Sequence, residues 1–277
     1  MQIKPITSVI GAEVIGVDLL EPLDELMFKR IEQAWHDNVI LLFRGQNLDE
    51  NQQASFCARF GKLVASLNAE MLNRPGQHPA VMYISNIVEN GKLIGALPDG
   101  EVVFHSDQCH AECPAMATML YALEIPFSGG DTLFANMYAA YDSLPLDLKN
   151  KLNGRYAENV YDYAPETIAR GGSRIREGVK HWAHPVFRTH PVTGKKALYV
   201  NRLMTDHIVG LPEFESREIL DFLFRHVEQP EFVYSHHWAV GDLMLWDNRC
   251  SLHARTNFDA SARRKLRRIT VQGERPS

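Results

Sequence analysis

The chain has 277 residues, of which 45% are hydrophobic and 23% charged, with a formal net charge of −5. This acidic balance gives no general attraction to nucleic acid or to an anionic membrane surface. No apolar run approaches the roughly 20 residues of a membrane span, and the N-terminal segment lacks the apolar core of a secretory signal, so we expect a cytoplasmic protein.

The first predicted elements alternate between helix and strand. Apolar residues at helical spacing predict an amphipathic helix over 23–37, and a buried strand follows at 39–43. Asp49 is placed to cap a second helix, which ends before Gly61. Residues 64–80 have the composition of a loop.

Short strands dominate the rest of the chain. The pattern of apolar and β-branched residues predicts strands at 81–85, 101–104, 116–124, 132–135, 184–189, 197–201, 231–238, 243–246 and 267–272. Helices are predicted near 138–152 and 213–228. We therefore predict a mainly β fold with peripheral helices, closed as a double-stranded β-helix of the cupin-like jelly-roll type. At this length, one domain over 1–277 is expected.

Two segments supply a candidate metal site. His105 and Asp107 are separated by one residue, and in an extended segment such residues point the same way, so both can reach one ion. His253 comes much later in the chain, just beyond the predicted buried strand at 243–246. Two histidines and one carboxylate are the ligand set of mononuclear non-haem iron(II) enzymes, in which the opposite positions remain for a cosubstrate and O2.

The cysteines offer an alternative metal site. They are Cys57, Cys109, Cys113 and Cys250, and their spacing is not that of a disulfide framework, which indicates free thiols in a reducing compartment. A structural zinc site assembled from Cys109, Cys113, Cys250 and His253 would leave the His-x-Asp pair unexplained. We predict instead that Cys109 and Cys113 line or underlie the pocket beside the iron ligands.

Further motifs carry a resemblance to a known family. They are Gly129-Gly130-Asp131-Thr132, Trp246-Asp247-Asn248-Arg249 and Arg263-Arg264-x-x-x-Arg268. Together with the His-x-Asp pair, they resemble the 2-oxoglutarate-dependent taurine/2,4-dichlorophenoxyacetate dioxygenase family, nearly end to end, and the resemblance implies the same jelly-roll fold. It implies iron(II) as the metal, with 2-oxoglutarate and O2 as cosubstrates. The implied iron ligands are His105, Asp107 and His253.

The resemblance also implies roles for three other side chains. Thr132 and Arg264 would hold the distal carboxylate of 2-oxoglutarate, and Arg268 would lie near the substrate anion. The planar guanidinium of arginine suits a carboxylate because it can donate two parallel hydrogen bonds. Two alternatives remain: Arg264 could belong to a solvated basic patch over 263–268, and Arg268 could pair with a nearby carboxylate of the protein.

The implied reaction hydroxylates a small organic anion while 2-oxoglutarate is converted to succinate and CO2. Taurine enzymes carry an asparagine four residues before the first iron-binding histidine, where this chain has Glu101, so taurine is not the expected substrate. Residues 84–92 and 231–234 look closer to the phenoxyacetate-cleaving branch. We expect an aryloxyalkanoate or related carboxylate with ether cleavage, and an alkyl sulfonate or sulfate ester as the alternative. Side chains proposed for an apolar substrate pocket are Met71, Met82, Phe104 and Cys109.

Several alternatives remain open at this point. A non-catalytic jelly-roll binding protein could keep the fold without the chemistry, and an oxygenase could use the same three ligands without 2-oxoglutarate. The segment 161–181 lacks clear periodicity and is predicted to be either an active-site lid or an ordinary surface loop. A homo-oligomer is possible, although no residue pattern marks an interface.

Overall fold

The computed structural model describes residues 1–65, 77–96, 100–162, 175 and 177–277. In chain order, its strands are β1 (Gln2–Pro5), β2 (Ala12–Ile15), β3 (Ile40–Phe43), β4 (Met82–Ser85), β5 (Val88–Glu89), β6 (Lys92–Leu93), β7 (Val102–His105), β8 (Ala115–Glu124), β9 (Thr132–Asn136), β10 (Tyr156–Val160), β11 (His181–Pro185), β12 (Phe187–Thr189), β13 (Lys196–Leu198), β14 (Thr205–Ile208), β15 (Val233–His236), β16 (Leu243–Asp247), β17 (Ser251–Arg255) and β18 (Lys265–Gln272). Its α-helices are α1 (Glu25–Asn38), α2 (Glu50–Ala58), α3 (Met137–Asp142), α4 (Leu146–Leu152) and α5 (Glu213–Val227).

A seven-stranded sheet with the order β1-β2-β3-β16-β8-β18-β4 separates two apolar cores. Side chains alternate across a strand, so one strand can serve both cores. In β3, Leu41 and Phe43 belong to the core that includes Trp35 of α1 and Phe56 of α2. The other two residues of β3, Ile40 and Leu42, belong to the other core. This double burial explains why β3 is an uninterrupted apolar run.

A four-stranded sheet with the order β15-β9-β17-β7 packs against one face of the larger sheet. Its Phe134 and Leu252 share one core with Leu120 and Trp246 of the seven-stranded sheet. The candidate ligands lie on β7 and β17 or, for Asp107, directly after β7, and thus lie where the two sheets face each other. The mainly β architecture with helices outside it agrees with the prediction.

The predicted helices are present, with one correction. The predictions at 23–37 and 213–228 correspond to α1 and α5. Asp49 caps α2 as predicted, because its carboxylate accepts a hydrogen bond from the Gln52 backbone N–H at 2.8 Å. The single helix predicted near 138–152 was wrong: it is divided into α3 and α4. Pro145 separates them, since a proline disfavours helical geometry in the residue before it.

All ten predicted strand positions, 39–43 included, contain a strand, but the prediction was incomplete. The stretch 184–189 belongs to two strands, β11 and β12, and 231–238 opens with a 3-10 turn at Pro230–Phe232. The strands that were not predicted are β1, β2, β5, β6, β10, β14 and β17. The omission of β17 matters most, because His253 lies within this strand and not in a segment beyond one.

Some predictions concern residues outside the described ranges. These residues include 163–174 and 176 of the proposed lid, Met71 of the proposed pocket and 66–76 of the loop predicted at 64–80. None of the described helices combines the length and the apolar character needed to cross a membrane.

Candidate active site

The three candidate metal ligands converge on the four-stranded sheet. His105 ends β7 and is the direct antiparallel partner of His253 in β17, while Asp107 follows β7 by two residues. Asp107 Oδ1 lies 3.9 Å from His105 Nε2 and 3.7 Å from His253 Nε2. Ligand atoms of all three residues lie within 4.8 Å of one another. Strand pairing therefore brings together residues that are far apart in sequence.

Hydrogen bonding and burial set the protonation of these groups. The Nδ1–H of His105 donates to the Val103 carbonyl at 2.9 Å, which leaves the Nε2 lone pair facing Asp107. Burial lowers the pKa of His105, and burial together with the charge of His105 lowers the pKa of His253 to about 3. Both imidazoles are therefore neutral near pH 7, as metal binding requires.

The Asp107 carboxylate is ionised despite its burial. Burial raises its pKa, but the positive charge of Arg268, joined at low pH by the protonated forms of the two histidines, outweighs this effect and holds the pKa well below its usual range. Two neutral imidazoles and one carboxylate form a donor set that fits a divalent transition-metal ion.

Each oxygen of the Asp107 carboxylate has its own partner. Thr118 Oγ1 donates to Oδ2 at 2.5 Å, and Arg268 Nη2 donates to Oδ1 at 2.7 Å. Arg268 thus makes the contact with a protein carboxylate that was one of its two predicted roles. It also lines a cavity beside the three ligands.

A cavity lies beside the three ligands. Its empty volume, including the open mouth, is about 490 Å³. The described residues that line it are Ile84, Val102, His105, Leu120, Thr132, Trp246, His253, Ala254, Arg255, Arg264 and Arg268. The wall thus combines apolar side chains with three arginines.

Arg264 is buried, which contradicts the alternative of a solvated basic patch. It is 2% exposed, whereas the side chain of its neighbour Arg263 is 62% exposed and pairs with Glu124. Arg264 Nη2 donates to the Gly130 carbonyl at 3.1 Å, and its buried Nε has no hydrogen-bond partner in the described structure. Burial, followed by the charge of Arg255, lowers its pKa to about 9. A buried cation with an unused donor is suited to bind an anion.

Thr132 also lines the cavity, and two glycines lie shortly before it in the chain. The Thr132 hydroxyl oxygen accepts a hydrogen bond from Trp238 Nε1 at 3.0 Å, so its own proton can be donated elsewhere. Gly130 has φ +69°, and a Cβ added there would lie 3.0 Å from Arg264 Nε. Gly129 has φ +74°, and its added Cβ would lie 2.4 Å from the Asn257 carbonyl oxygen. Both positions thus require glycine.

The structure does not support the predicted apolar pocket or the zinc site. Met82, Phe104 and Cys109 are not among the described lining residues; Phe104 packs in a core, and Cys109 contacts Met204 with 3.3 Å between the sulfur atoms. Among the described residues, the groups able to hold a metal contain no cysteine. Cys113 is exposed.

Some residues at the site were not found by sequence reasoning. Arg255 lies two positions after His253 and would have been assigned to the same face if β17 had been recognised. Thr118 contacts Asp107 but lies within the apolar strand β8, and a single threonine there carries no sequence signal. Asn248 was noted only as part of a motif.

A second group, His36, His190 and Asp247, also has ligand atoms close together. Hydrogen bonds within the protein already engage the ring nitrogens of His190 and both carboxylate oxygens of Asp247. His190 Nδ1 accepts from the backbone N–H groups of residues 192 and 193, so its Nε2–H donates to Asp247 at 3.0 Å. Arg249 donates to both oxygens of the same carboxylate. We interpret this group as a structural network that holds the segment before β17.

Comparisons with known proteins agree with this geometry. The family model described as "Taurine catabolism dioxygenase TauD, TfdA family" matches residues 2–270. An alpha-ketoglutarate-dependent 2,4-dichlorophenoxyacetate dioxygenase of Cupriavidus pinatubonensis is 38% identical over 97% of this chain and 96% of its own length. An alpha-ketoglutarate-dependent sulfate ester dioxygenase of Pseudomonas putida is 31% identical over 100% and 91%, respectively. The crystal structure of AAD-2 in complex with Mn(II) and N-oxalylglycine has a TM-score of 0.84 and 29% identity, and the match covers 99% of both chains.

Proposed function

The chain belongs to the TauD/TfdA family of dioxygenases, and from that premise we propose that it is an iron(II)- and 2-oxoglutarate-dependent dioxygenase that hydroxylates a small organic anion. The observation that carries this proposal is a group of two neutral imidazoles and an ionised carboxylate, whose two imidazoles line the same cavity as a buried arginine. The facing sheets are consistent with the jelly-roll fold, and the large sheet shared by both cores supports one domain over 1–277.

The proposed metal ligands are His105 Nε2, Asp107 Oδ1 and His253 Nε2. When iron(II), 2-oxoglutarate and O2 are bound, they supply oxidative decarboxylation of the keto acid to succinate and CO2, coupled to hydroxylation of a substrate C–H bond. The protein holds the ligands on paired strands and surrounds them with buried side chains. Rigid placement of this kind is what a metal site requires of its scaffold.

Arg264 and Thr132 are the proposed partners of the distal carboxylate of 2-oxoglutarate. The guanidinium keeps an unused Nε–H, and the Thr132 hydroxyl keeps a proton to donate because its oxygen already accepts from Trp238. An ionised carboxylate would satisfy both donors and offset the cost of burying Arg264. N-oxalylglycine, the ligand in the AAD-2 structure, has the two carboxylates and the keto group of 2-oxoglutarate with an N–H in place of one CH2.

Arg268 is the proposed anchor for the substrate anion. It lines the cavity near the three ligands, and its neighbours across the sheet are Leu120 and Met82. With Ile84 and Val102, the cavity offers an apolar wall beside a cation. An aryloxyalkanoate carboxylate, with its apolar ring and single negative charge, fits this combination.

Ether cleavage would follow if the enzyme hydroxylates the carbon atom that bears the ether oxygen. An aryloxyacetate hydroxylated on the carbon that carries the ether oxygen is a hemiacetal, and its C–O bond breaks to give a phenol and an aldehyde acid. The relative from Cupriavidus pinatubonensis, a 2,4-dichlorophenoxyacetate dioxygenase, supports this substrate class. A sulfate ester is the second candidate, because Arg268 could bind sulfate and the relative from Pseudomonas putida acts on sulfate esters. Glu101, exposed where taurine enzymes have asparagine, argues against taurine.

Single alanine variants of His105, Asp107 and His253 test the ligand assignment. Each should lose most of its metal affinity, measured with Co(II), and should form no succinate in the presence of substrate. Near-native activity in any one variant would overturn that ligand's assignment. A protein that consumes O2 and substrate without forming succinate would be a different oxygenase, and one that binds the anion without turnover would be a binding protein.

A further inference from the structure

We propose that Thr118 and Asn248 are positioning residues that restrict Asp107 to metal binding through Oδ1 alone. This inference rests on the proposed function, because it takes Asp107 as a metal ligand. Both residues are fully buried, and neither is among the described residues that line the cavity. They would act on the metal only through the Asp107 carboxylate.

The orientation of the Asn248 amide follows from its partners. Its Oδ1 lies 3.1 Å from Trp246 Nε1 and 3.3 Å from the Asp107 backbone nitrogen. Both partners can only donate a hydrogen bond, so the atom that faces them must be the amide oxygen. The amide nitrogen therefore faces Thr118, 3.0 Å from Oγ1.

This orientation fixes the direction of the Thr118 hydroxyl proton. Because Asn248 Nδ2 can only donate, the Thr118 oxygen accepts from it. The hydroxyl proton then points to the other neighbour of Oγ1, Asp107 Oδ2, at 2.5 Å. A short hydrogen bond to an ionised oxygen is among the stronger hydrogen bonds found in proteins.

The result is that the two oxygens of Asp107 are not equivalent. Oδ2 is engaged by Thr118 and faces neither histidine, while Oδ1 faces the Nε2 atoms of His105 and His253 at 3.9 and 3.7 Å and also accepts from Arg268 Nη2 at 2.7 Å. A carboxylate that bound the metal through both oxygens would occupy one more coordination position. An iron site of this class needs the positions opposite its three protein ligands for cosubstrates. With a metal bound at Oδ1, the hydrogen bond from Thr118 would disfavour binding through Oδ2 as well.

Asn248 also links the segments that carry the ligands, through its backbone and its side chain. The Ser106 hydroxyl donates to the Asn248 backbone carbonyl at 2.9 Å, which ties the first ligand segment to the turn between β16 and β17. Trp246, whose Nε1 donates to Asn248 Oδ1, has its ring centroid 4.8 Å from that of His253. Contacts of this kind orient ligands and commonly change metal affinity when they are removed.

The test compares Thr118→Val, which keeps the size of the side chain but cannot donate, with Thr118→Ser, which can. Thr270→Val is the matched control: Thr270 is paired with Thr118 on the neighbouring strand, and in the described structure its hydroxyl bonds to none of the three ligands. The readouts are Co(II) affinity, the visible absorption spectrum of the Co(II) protein, which reports coordination number, and the affinity of that protein for 2-oxoglutarate.

We expect Thr118→Val to lose about 10- to 100-fold in affinity for Co(II) or for 2-oxoglutarate, with a changed Co(II) spectrum. The Ser variant and the Thr270→Val control should keep the native spectrum and affinities. If Thr118→Val fails to fold, as judged by circular dichroism, Thr118→Ala removes the same donor and takes its place.

Native affinities and a native spectrum in the folded Val or Ala variant would overturn this inference and leave the proposed function intact. A Ser variant as impaired as the Val variant would also overturn it. The proposed function fails separately, and this inference with it, if the native protein binds no Co(II) or if Asp107→Asn binds Co(II) as tightly as the native protein does.

Discussion

Replacement of Arg264 by methionine should make the protein more stable while it removes 2-oxoglutarate binding. Methionine fills a similar volume without a charge. Burial and the nearby charge of Arg255 lower the pKa of Arg264 from 12.5 to about 9. At neutral pH the guanidinium is protonated in both the folded and the unfolded chain, so the folded state carries the full cost of this charge.

The size of the effect follows from that pKa. At about 1.36 kcal/mol per pKa unit, the burial cost is roughly 5 kcal/mol. Removal of the side chain also loses the hydrogen bond to the Gly130 carbonyl, about 1.5–3 kcal/mol, and a contact with the Phe258 ring, about 0.5–1 kcal/mol. The variant should therefore be more stable by about 2 kcal/mol, which corresponds to a rise in Tm of roughly 4–8 °C.

The assay is thermal unfolding of the Mn(II)-loaded protein with and without 2-oxoglutarate. At 100 times its Kd, 2-oxoglutarate should stabilise the native protein by about 2.7 kcal/mol and leave Arg264→Met unchanged. Arg263→Met is the matched control, because the neighbouring side chain is exposed and pairs with Glu124 at the surface; its Tm and its response to 2-oxoglutarate should be close to native. Equal stabilisation of native protein and Arg264→Met by 2-oxoglutarate, or a large drop in the variant's Tm without ligand, would refute this reasoning.

Three further changes have separate readouts. Arg268→Gln should raise KM for an aryloxyacetate at least about tenfold, since a charge-assisted hydrogen bond is lost, but should keep the thermal response to 2-oxoglutarate; an unchanged KM would contradict the anchor role. Gly130→Ala should weaken 2-oxoglutarate binding about tenfold, measured by calorimetry, because its Cβ would lie 3.0 Å from Arg264 Nε; Gly194→Ala, with the same φ of +69° and open space around it, should not. Burial lowers the pKa of His184 from 6.5 to about 4, so stability should fall by up to about 3 kcal/mol as pH drops from 6.5 to 4. Urea unfolding at each pH should show a smaller decrease for His184→Gln, and an equal decrease would contradict this assignment.

The local part of the site was predictable from sequence, and the long-range part was not. The His-x-Asp spacing and the alternation of side chains in a strand are enough to pair His105 with Asp107. The direct register between His105 and His253 depends on β17, a five-residue strand with histidine and arginine among its residues, which carries little apolar pattern. Without the family resemblance, His253 would have been one histidine among twelve.

The polar groups behind the ligands were harder still to predict. Thr118 is a single hydroxyl inside a largely apolar strand, where β-branched residues are common for packing reasons alone. Its contact with Asp107 exists only because β8 lies beside the ligand segment in the folded chain. The mainly β fold was predicted because it depends on patterns that repeat along the chain, whereas these contacts each depend on one residue.

The measurement that tests the central claim most directly is anaerobic titration of the iron(II)-loaded protein with 2-oxoglutarate, followed by visible absorption. The account predicts a weak charge-transfer band of the keto-acid chelate in the native protein, saturable by 2-oxoglutarate, and a much weaker response in Arg264→Met. Absence of the band in native protein with iron demonstrably bound would contradict the account.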